Sequence, residues 1–199
     1  MDKDGFRQDL IDGWLSFCQR SNPALGEAWE FANDPSGFTK EESRLKGLVP
    51  LLGPVAFLVK HGNAESIGRN AATLHHAADV LMKTNPGWTD ATVKGLAQQM
   101  DQFRMWADSA RKAEEHLNRH GWCFDSNTKK IRAVSKHKGR HLLTLCIQSL
   151  AAEFGTDIEG RRKIAEYLSP YFMEKLDPAP RGNVARALEN IARTISLKR

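Results

Sequence analysis

Apolar residues recur every third or fourth position along nearly all of this 199-residue chain, and that period constrains its fold more than any other feature. The pattern begins with Phe6, Leu10, Trp14 and Phe17, widened by Ile11 and Leu15, which predicts a helix from about Asp2 to Gln19. It is clearest after Thr89, where Val93, Leu96, Met100, Phe103, Ala107, Ala110 and Leu117 form one stripe. A helix over about 89–120 follows, roughly 45 Å long at 1.5 Å per residue. A helix of that length serves as the spine of a bundle or as one arm of a coiled coil with another chain, and the bundle is the more frequent use.

Turn and cap residues divide the rest. Asn22-Pro23 suits the start of a short helix carrying Leu25, Ala28, Trp29 and Ala32, stopped by Asp34-Pro35-Ser36-Gly37. Thr39 with Glu42 reads as a capping box, and the helix it opens should be interrupted at Pro50, which lacks an amide proton and clashes with the preceding turn. Gly47 to Val59 is therefore expected as a broken, buried connection. Asn63 is placed to cap a helix over 64–83, which Asn85-Pro86-Gly87 ends. Gly121 should end the long helix. The stretch 122–134 then loses helical period around a polar turn and predicts a small β-hairpin, the single strand candidate. Ser135 to Phe154 returns to helix, apolar over so much of its circumference that deep burial is expected, and Gly155 should close it. Thr156 with Glu159 reads as a second capping box; Asp177-Pro178-Ala179-Pro180 makes a stiff turn, after which Asn183 can cap a last helix carrying Val184, Leu188, Ile191 and Ile195. The fold class is all-α: a bundle of about seven or eight helices with one long central helix and one hairpin.

A hydrophobic content of 41% is enough for a real core. The first residues, Met1-Asp2-Lys3-Asp4-Gly5, lack the order of a signal peptide, and the longest apolar run, Leu48 to Val59, is shorter than the roughly 20 residues a membrane crossing needs. Cys18, Cys123 and Cys146 are an odd, widely spaced set, which fits reduced thiols and a cytoplasmic location. Charge is distributed unevenly. Residues 1–126 hold 14 Lys/Arg against 17 Asp/Glu, and 127–199 hold 15 against 7, giving −3 and +8 and the overall +5. A boundary between an acidic-leaning bundle and a basic C-terminal subdomain therefore falls near residue 126, unless 1–199 is one continuous domain.

Several constellations offer chemistry. His116, His120 and Cys123, with His137 brought back by the hairpin, have spacings that suit zinc, although no Cys-x2-Cys half accompanies them. Arg111 with His116, Arg69 with His75 or His76, and Arg132 with His137 match an arginine–histidine pairing that supports metal-independent RNA cleavage, but both residue types are common enough here for chance pairs. Glu41-Glu42 and Glu114-Glu115 are adjacent and so point different ways on a helix. Phosphate-cradling, dinucleotide, zinc-protease and serine-hydrolase motifs are absent from the sequence. Binding without catalysis, and without a cofactor, is the expectation.

The basic residues are the strongest lead. No acid lies from Asn127 to Ala152, while Lys129, Lys130, Arg132, Lys136, Lys138 and Arg140 fall within twelve positions. Hairpin cations followed by a helix start suit phosphate, because the first helical turn adds free amide donors. The last helix contributes Arg186, Asn190 and Arg193 on one face, after a turn longer than that of a helix-turn-helix. Nucleic acid, DNA or RNA, is the expected partner. The rival is an assembly subunit whose long helix pairs with another chain, a second copy included, and whose basic part meets an acidic protein.

Overall fold

The computed structural model describes residues 3–19, 40–84, 90–134 and 136–196, with side chains described over 3–19, 47–84, 91–134 and 142–190. The expected short helix at Asn22 to Ala32, the capping box at Thr39 and the turn at Asn85-Pro86-Gly87 lie outside the described residues. Seven helices and two strands are present among the described ones: α1 (Lys3–Gln19), α2 (Lys40–His61), α3 (Ala64–Thr84), α4 (Asp90–Arg119), β1 (Trp122–Asp125), β2 (Lys130–Ala133), α5 (Lys136–Phe154), α6 (Ile158–Leu168) and α7 (Asn183–Ser196). The chain is thus all-α with one antiparallel hairpin, as its periodicity predicts, and none of these helices is long and apolar enough to cross a membrane.

The packing is organised around α2, which touches α1, α4, α5 and β2. From Leu51 to Leu58 every residue of α2 is buried, so this helix is apolar on all sides and sits inside the core. Its closest neighbour is α1, whose approach depends on two glycines. A Cβ at Gly13 would lie 2.6 Å from a Val49 methyl, and one at Gly53 would lie 3.0 Å from both the Leu10 carbonyl oxygen and Trp14 Cβ. One hydrophobic cluster then runs from Phe6 through α2, the end of α4, the hairpin and α5 to Val184.

The expected break at Pro50 does not occur: α2 passes through both Pro50 and Pro54 without interruption. The cost of proline inside a helix is an unpaired carbonyl four residues earlier and a steric clash. Pro54 has no N–H to offer the Pro50 carbonyl. The buried His116 imidazole on α4 interacts favourably with that carbonyl, and full burial of the surrounding turns offsets the cost.

Several predicted ends hold. Asn63 Oδ1 accepts from the Ser66 amide at 3.0 Å, and Gly121 and Gly155 take φ of +78° and +83°, the left-handed conformation that closes a helix. Two caps differ. Asp157, not Thr156, is the N-cap of α6, its carboxylate accepting from the Gly160 amide at 2.8 Å. Replacing Asp157 by alanine should cost about 1 kcal/mol in urea unfolding, and Thr156→Ala clearly less; equal losses would return the cap to Thr156. Asn183 ties the preceding turn rather than capping α7: its Oδ1 accepts from the Asp177 amide at 2.7 Å and its Nδ2 donates to the Lys175 carbonyl at 2.9 Å.

The long helix divides in function. Between Ala91 and Asp108 no residue of α4 is buried, whereas Ser109, Ala110, Ala113, His116 and Leu117 are. α3 packs chiefly on α4, the Ala64 amide at its start donating to the Glu114 carboxylate at 3.3 Å. Together they form a two-helix arm, and α4 reaches the core first through the half-buried Phe103, Trp106 and Ala107 and then through the buried residues from Ser109 onward.

Candidate functional site

The hairpin is built by alternation. In the register Trp122↔Ala133, Cys123↔Arg132, Phe124↔Ile131 and Asp125↔Lys130, one face carries Trp122 and Ile131, both fully buried, and the other carries Arg132 and Lys130. The turn is held by Asp125, whose carboxylate accepts from the Asn127 amide at 2.9 Å and the Thr128 amide at 3.2 Å. Lys129 completes it in the left-handed region at φ +53°. At the base, the Val134 amide donates to the Gly121 carbonyl at 2.8 Å.

A third segment fixes the hairpin to the body. Ile131 donates its amide to the Tyr171 carbonyl at 2.7 Å, and Met173 donates to the Ile131 carbonyl at 2.9 Å, so Phe172 pairs in parallel with β2. Behind this pairing the Trp122 and Phe172 rings meet edge to face, 5.0 Å between centroids. Sequence reasoning missed this contact. The run Tyr171-Phe172-Met173 after Pro170 carries a strand-like aromatic signal, but its partner lies 41 residues earlier.

Beside the hairpin, β2, α5 and α7 enclose a cleft of about 500 Å³. Ala133, Leu143, Ile147 and Ala187 supply its apolar lining, and Thr144, Glu174, Asn183, Arg186 and Asn190 its polar lining. Two of the predicted residues, Arg186 and Asn190, are therefore brought together here. Lys129, Lys130 and Arg132 are not part of it, because alternation along β2 turns Arg132 away from the side Ala133 presents. The side chains of Lys136, Lys138, Arg140, Arg193 and His137 lie outside the described residues.

The cations of the C-terminal part differ in how they are neutralised. On α6, Arg162 pairs with Glu159 at 2.8 Å and approaches Glu166 at 4.0 Å, Lys163 lies 3.8 Å from Glu159, and Arg161 Nε donates to the Asp157 carbonyl. The Arg162 guanidinium holds the Glu159 carboxyl below its ordinary range. By contrast Lys129, Lys130, Arg132 and Arg186 make no ion pair among the described residues.

The histidines take other roles. His116 is 7% exposed, with its ring 6.0 Å from that of Trp14 and 4.7 Å from that of His120. Burial, reinforced by His120 and Arg119, lowers its pKa to about 4, against a smaller opposing effect of the Pro50 carbonyl. Its Nε2 is buried without a hydrogen-bond partner. Among the described residues no group of three or more His, Cys, Asp or Glu is arranged to hold a metal ion, so His116, His120 and Cys123 do not converge as ligands there. The arginine–histidine pairs also separate. Arg111 turns outward to Asp108 at 2.7 Å while His116 faces the core, and Arg69 and His75 pair with Glu65 and Asp79. Cys146 is fully buried, with its thiol pKa pushed up by that burial, consistent with a core role.

Compared with protein-family models, curated proteins and solved structures, the chain matches none.

Proposed function

We propose that this protein binds nucleic acid without catalysis, through phosphate contacts made first by the hairpin cations Lys129, Lys130 and Arg132. The observation that carries this reading is the uneven neutralisation just described: Arg162 and Lys163 of α6 are matched by acids of their own helix, while the cations of the hairpin and Arg186 are left for an outside anion. One carboxylate oxygen of Asp125 takes both turn amides, which stiffens the loop on which those cations stand. The start of α5, with Lys136, Lys138 and Arg140 in its first turn or next to it, extends the same basic tract.

Arg186, Asn190 and Arg193 serve as secondary contacts rather than as a base-reading set. A recognition helix needs an open polar face to enter a major groove. The α7 face bearing Arg186 and Asn190 looks into the cleft shared with α5, where Glu174 opposes a phosphate.

Filter binding of a short duplex DNA or RNA tests the reading. With about four phosphate contacts, affinity should fall roughly a hundredfold between 50 and 200 mM salt, through counterion release. Joint replacement of Lys129, Lys130 and Arg132 by alanine should reduce the salt dependence by about three contacts. Arg162→Ala, at a cation already paired with Glu159, should leave it unchanged. No binding at low salt, or binding indifferent to salt, overturns the proposal.

A further inference from the structure

The cleft between β2, α5 and α7 has the size of a small-ligand site, about 500 Å³ against the roughly 300–1,000 Å³ usual for such sites. Its lining is sorted by polarity. Leu143 and Ile147, one turn apart on α5 and both buried, form an apolar floor with Ala133 and Ala187. The two charged groups described in it, the Glu174 carboxylate and the Arg186 guanidinium, are exposed at its rim. They line one cleft without pairing with each other or with any other described residue.

The backbone brings both charges to the same end. Met173, before Glu174, donates its amide to the Ile131 carbonyl at 2.9 Å, and the Lys175 carbonyl, after it, accepts from Asn183 Nδ2 at 2.9 Å. Glu174 is thus pinned on both sides, to β2 and to the first residue of α7. Arg186 stands three residues beyond Asn183, about 4.5 Å along the helix axis. Asn190, a further turn on, lines the rim with an uncharged amide. Charge is therefore gathered where α7 begins, and the rest of the cleft described here is apolar or neutral.

This arrangement selects a ligand. Glu174 opposes a phosphate or any other polyanion, and Arg186 opposes a simple cation. A molecule with an ammonium and a carboxylate on one carbon satisfies both and brings no net charge. Its apolar body then covers Leu143 and Ile147. Those are the parts of an α-amino acid with a large apolar side chain. We propose that the cleft binds a free amino acid of this kind, its ammonium on Glu174, its carboxylate on Arg186 and its side chain on the α5 floor. The site does not depend on the hairpin cations, and Arg186 is the residue it shares with the nucleic-acid reading.

Titration of the full chain with L-phenylalanine and with L-leucine, followed by amide shifts in proton–nitrogen NMR spectra, tests it. The amides of Ala133, Thr144 and Ala187 should shift together and saturate, with a Kd of about 1 mM or below for at least one of the two. Phenylpropionate lacks the ammonium, phenylethylamine the carboxylate and glycine the apolar body, and each should bind about tenfold more weakly or worse. Glu174→Gln and Arg186→Gln, at exposed positions where the fold tolerates change, should weaken the amino acid by about the same factor. Joint replacement of Lys129, Lys130 and Arg132 by alanine should leave it unchanged, so loss of duplex binding and loss of amino-acid binding are seen separately. No saturable shift with either amino acid up to about 10 mM, inorganic phosphate or any partial ligand binding as tightly, or full affinity in both cleft variants overturns the proposal.

Discussion

Replacing Trp122 by alanine is expected to lower the free energy of unfolding by about 4 kcal/mol, the range measured for large aromatic side chains removed from packed cores. Trp122 is fully buried where α4 ends and the hairpin begins, and its edge-to-face contact with Phe172 joins β1 to the segment that pairs with β2. Its removal leaves a cavity at a junction of three elements, which relaxes less easily than one on a single helix. Urea unfolding followed by circular dichroism measures the loss. Trp122→Phe, which keeps an apolar ring, should recover a large part of it. A loss below about 1 kcal/mol would mean that the hairpin is not held by this contact.

Acid should act mainly through His116. In the unfolded chain its imidazole takes up a proton near pH 6.5, while in the folded protein burial beside His120 and Arg119 delays uptake until about pH 4. Between those values the unfolded state holds the extra proton and the folded state does not, so stability falls as pH drops from about 6.5 to 4 and levels off below. At 1.36 kcal/mol per pH unit the total is about 3 kcal/mol. His61, whose pKa is lowered by partial burial and Lys60, adds a smaller change of the same sign. The decisive quantity is the difference in unfolding free energy between pH 7 and 4.5. His116→Gln stays polar but cannot titrate, and should remove most of that difference whatever it does to stability at pH 7. An equal fall in parent and variant would place the acid sensitivity elsewhere.

Much of the fold was legible because it rests on local pattern. The three-and-four spacing from Val93 to Leu117 locates α4 to within a residue or two of Asp90–Arg119, and the loss of that spacing after Gly121 locates the hairpin. What escaped depends on contacts between distant residues. The passage of α2 through two prolines rests on its burial against helices distant in sequence, and the aromatic run at 171–173 does not reveal that its partner is Ile131, 41 positions earlier. Caps were misplaced by small margins for a related reason: Thr156 and Asp157 are neighbours of equal capping chemistry, and backbone geometry chooses between them. Periodicity locates a stripe on α4 but does not say that none of its residues from Ala91 to Asp108 is fully buried.

The candidate interface was legible as a count of cations and not as a surface. The matching of Arg162 and Lys163 with Glu159 follows from spacings of three and four, so their neutralisation is visible in the sequence itself. The separation of Arg132 from Arg186 is not, since it depends on which side of β2 faces the cleft with α7.

One helix connects the arm to the hairpin. α4 continues without a break for 30 residues, and after Gly121 the hairpin follows directly. Each residue of a helix adds about 1.5 Å and turns it by about 100°. A single residue inserted between Ala91 and Asp108 would therefore barely lengthen α4, yet would turn the part of its stripe before the insertion more than a quarter turn away from α3, which stays tied to α2 through Gly62 and Asn63. In this protein α4 sets a bearing as well as a distance.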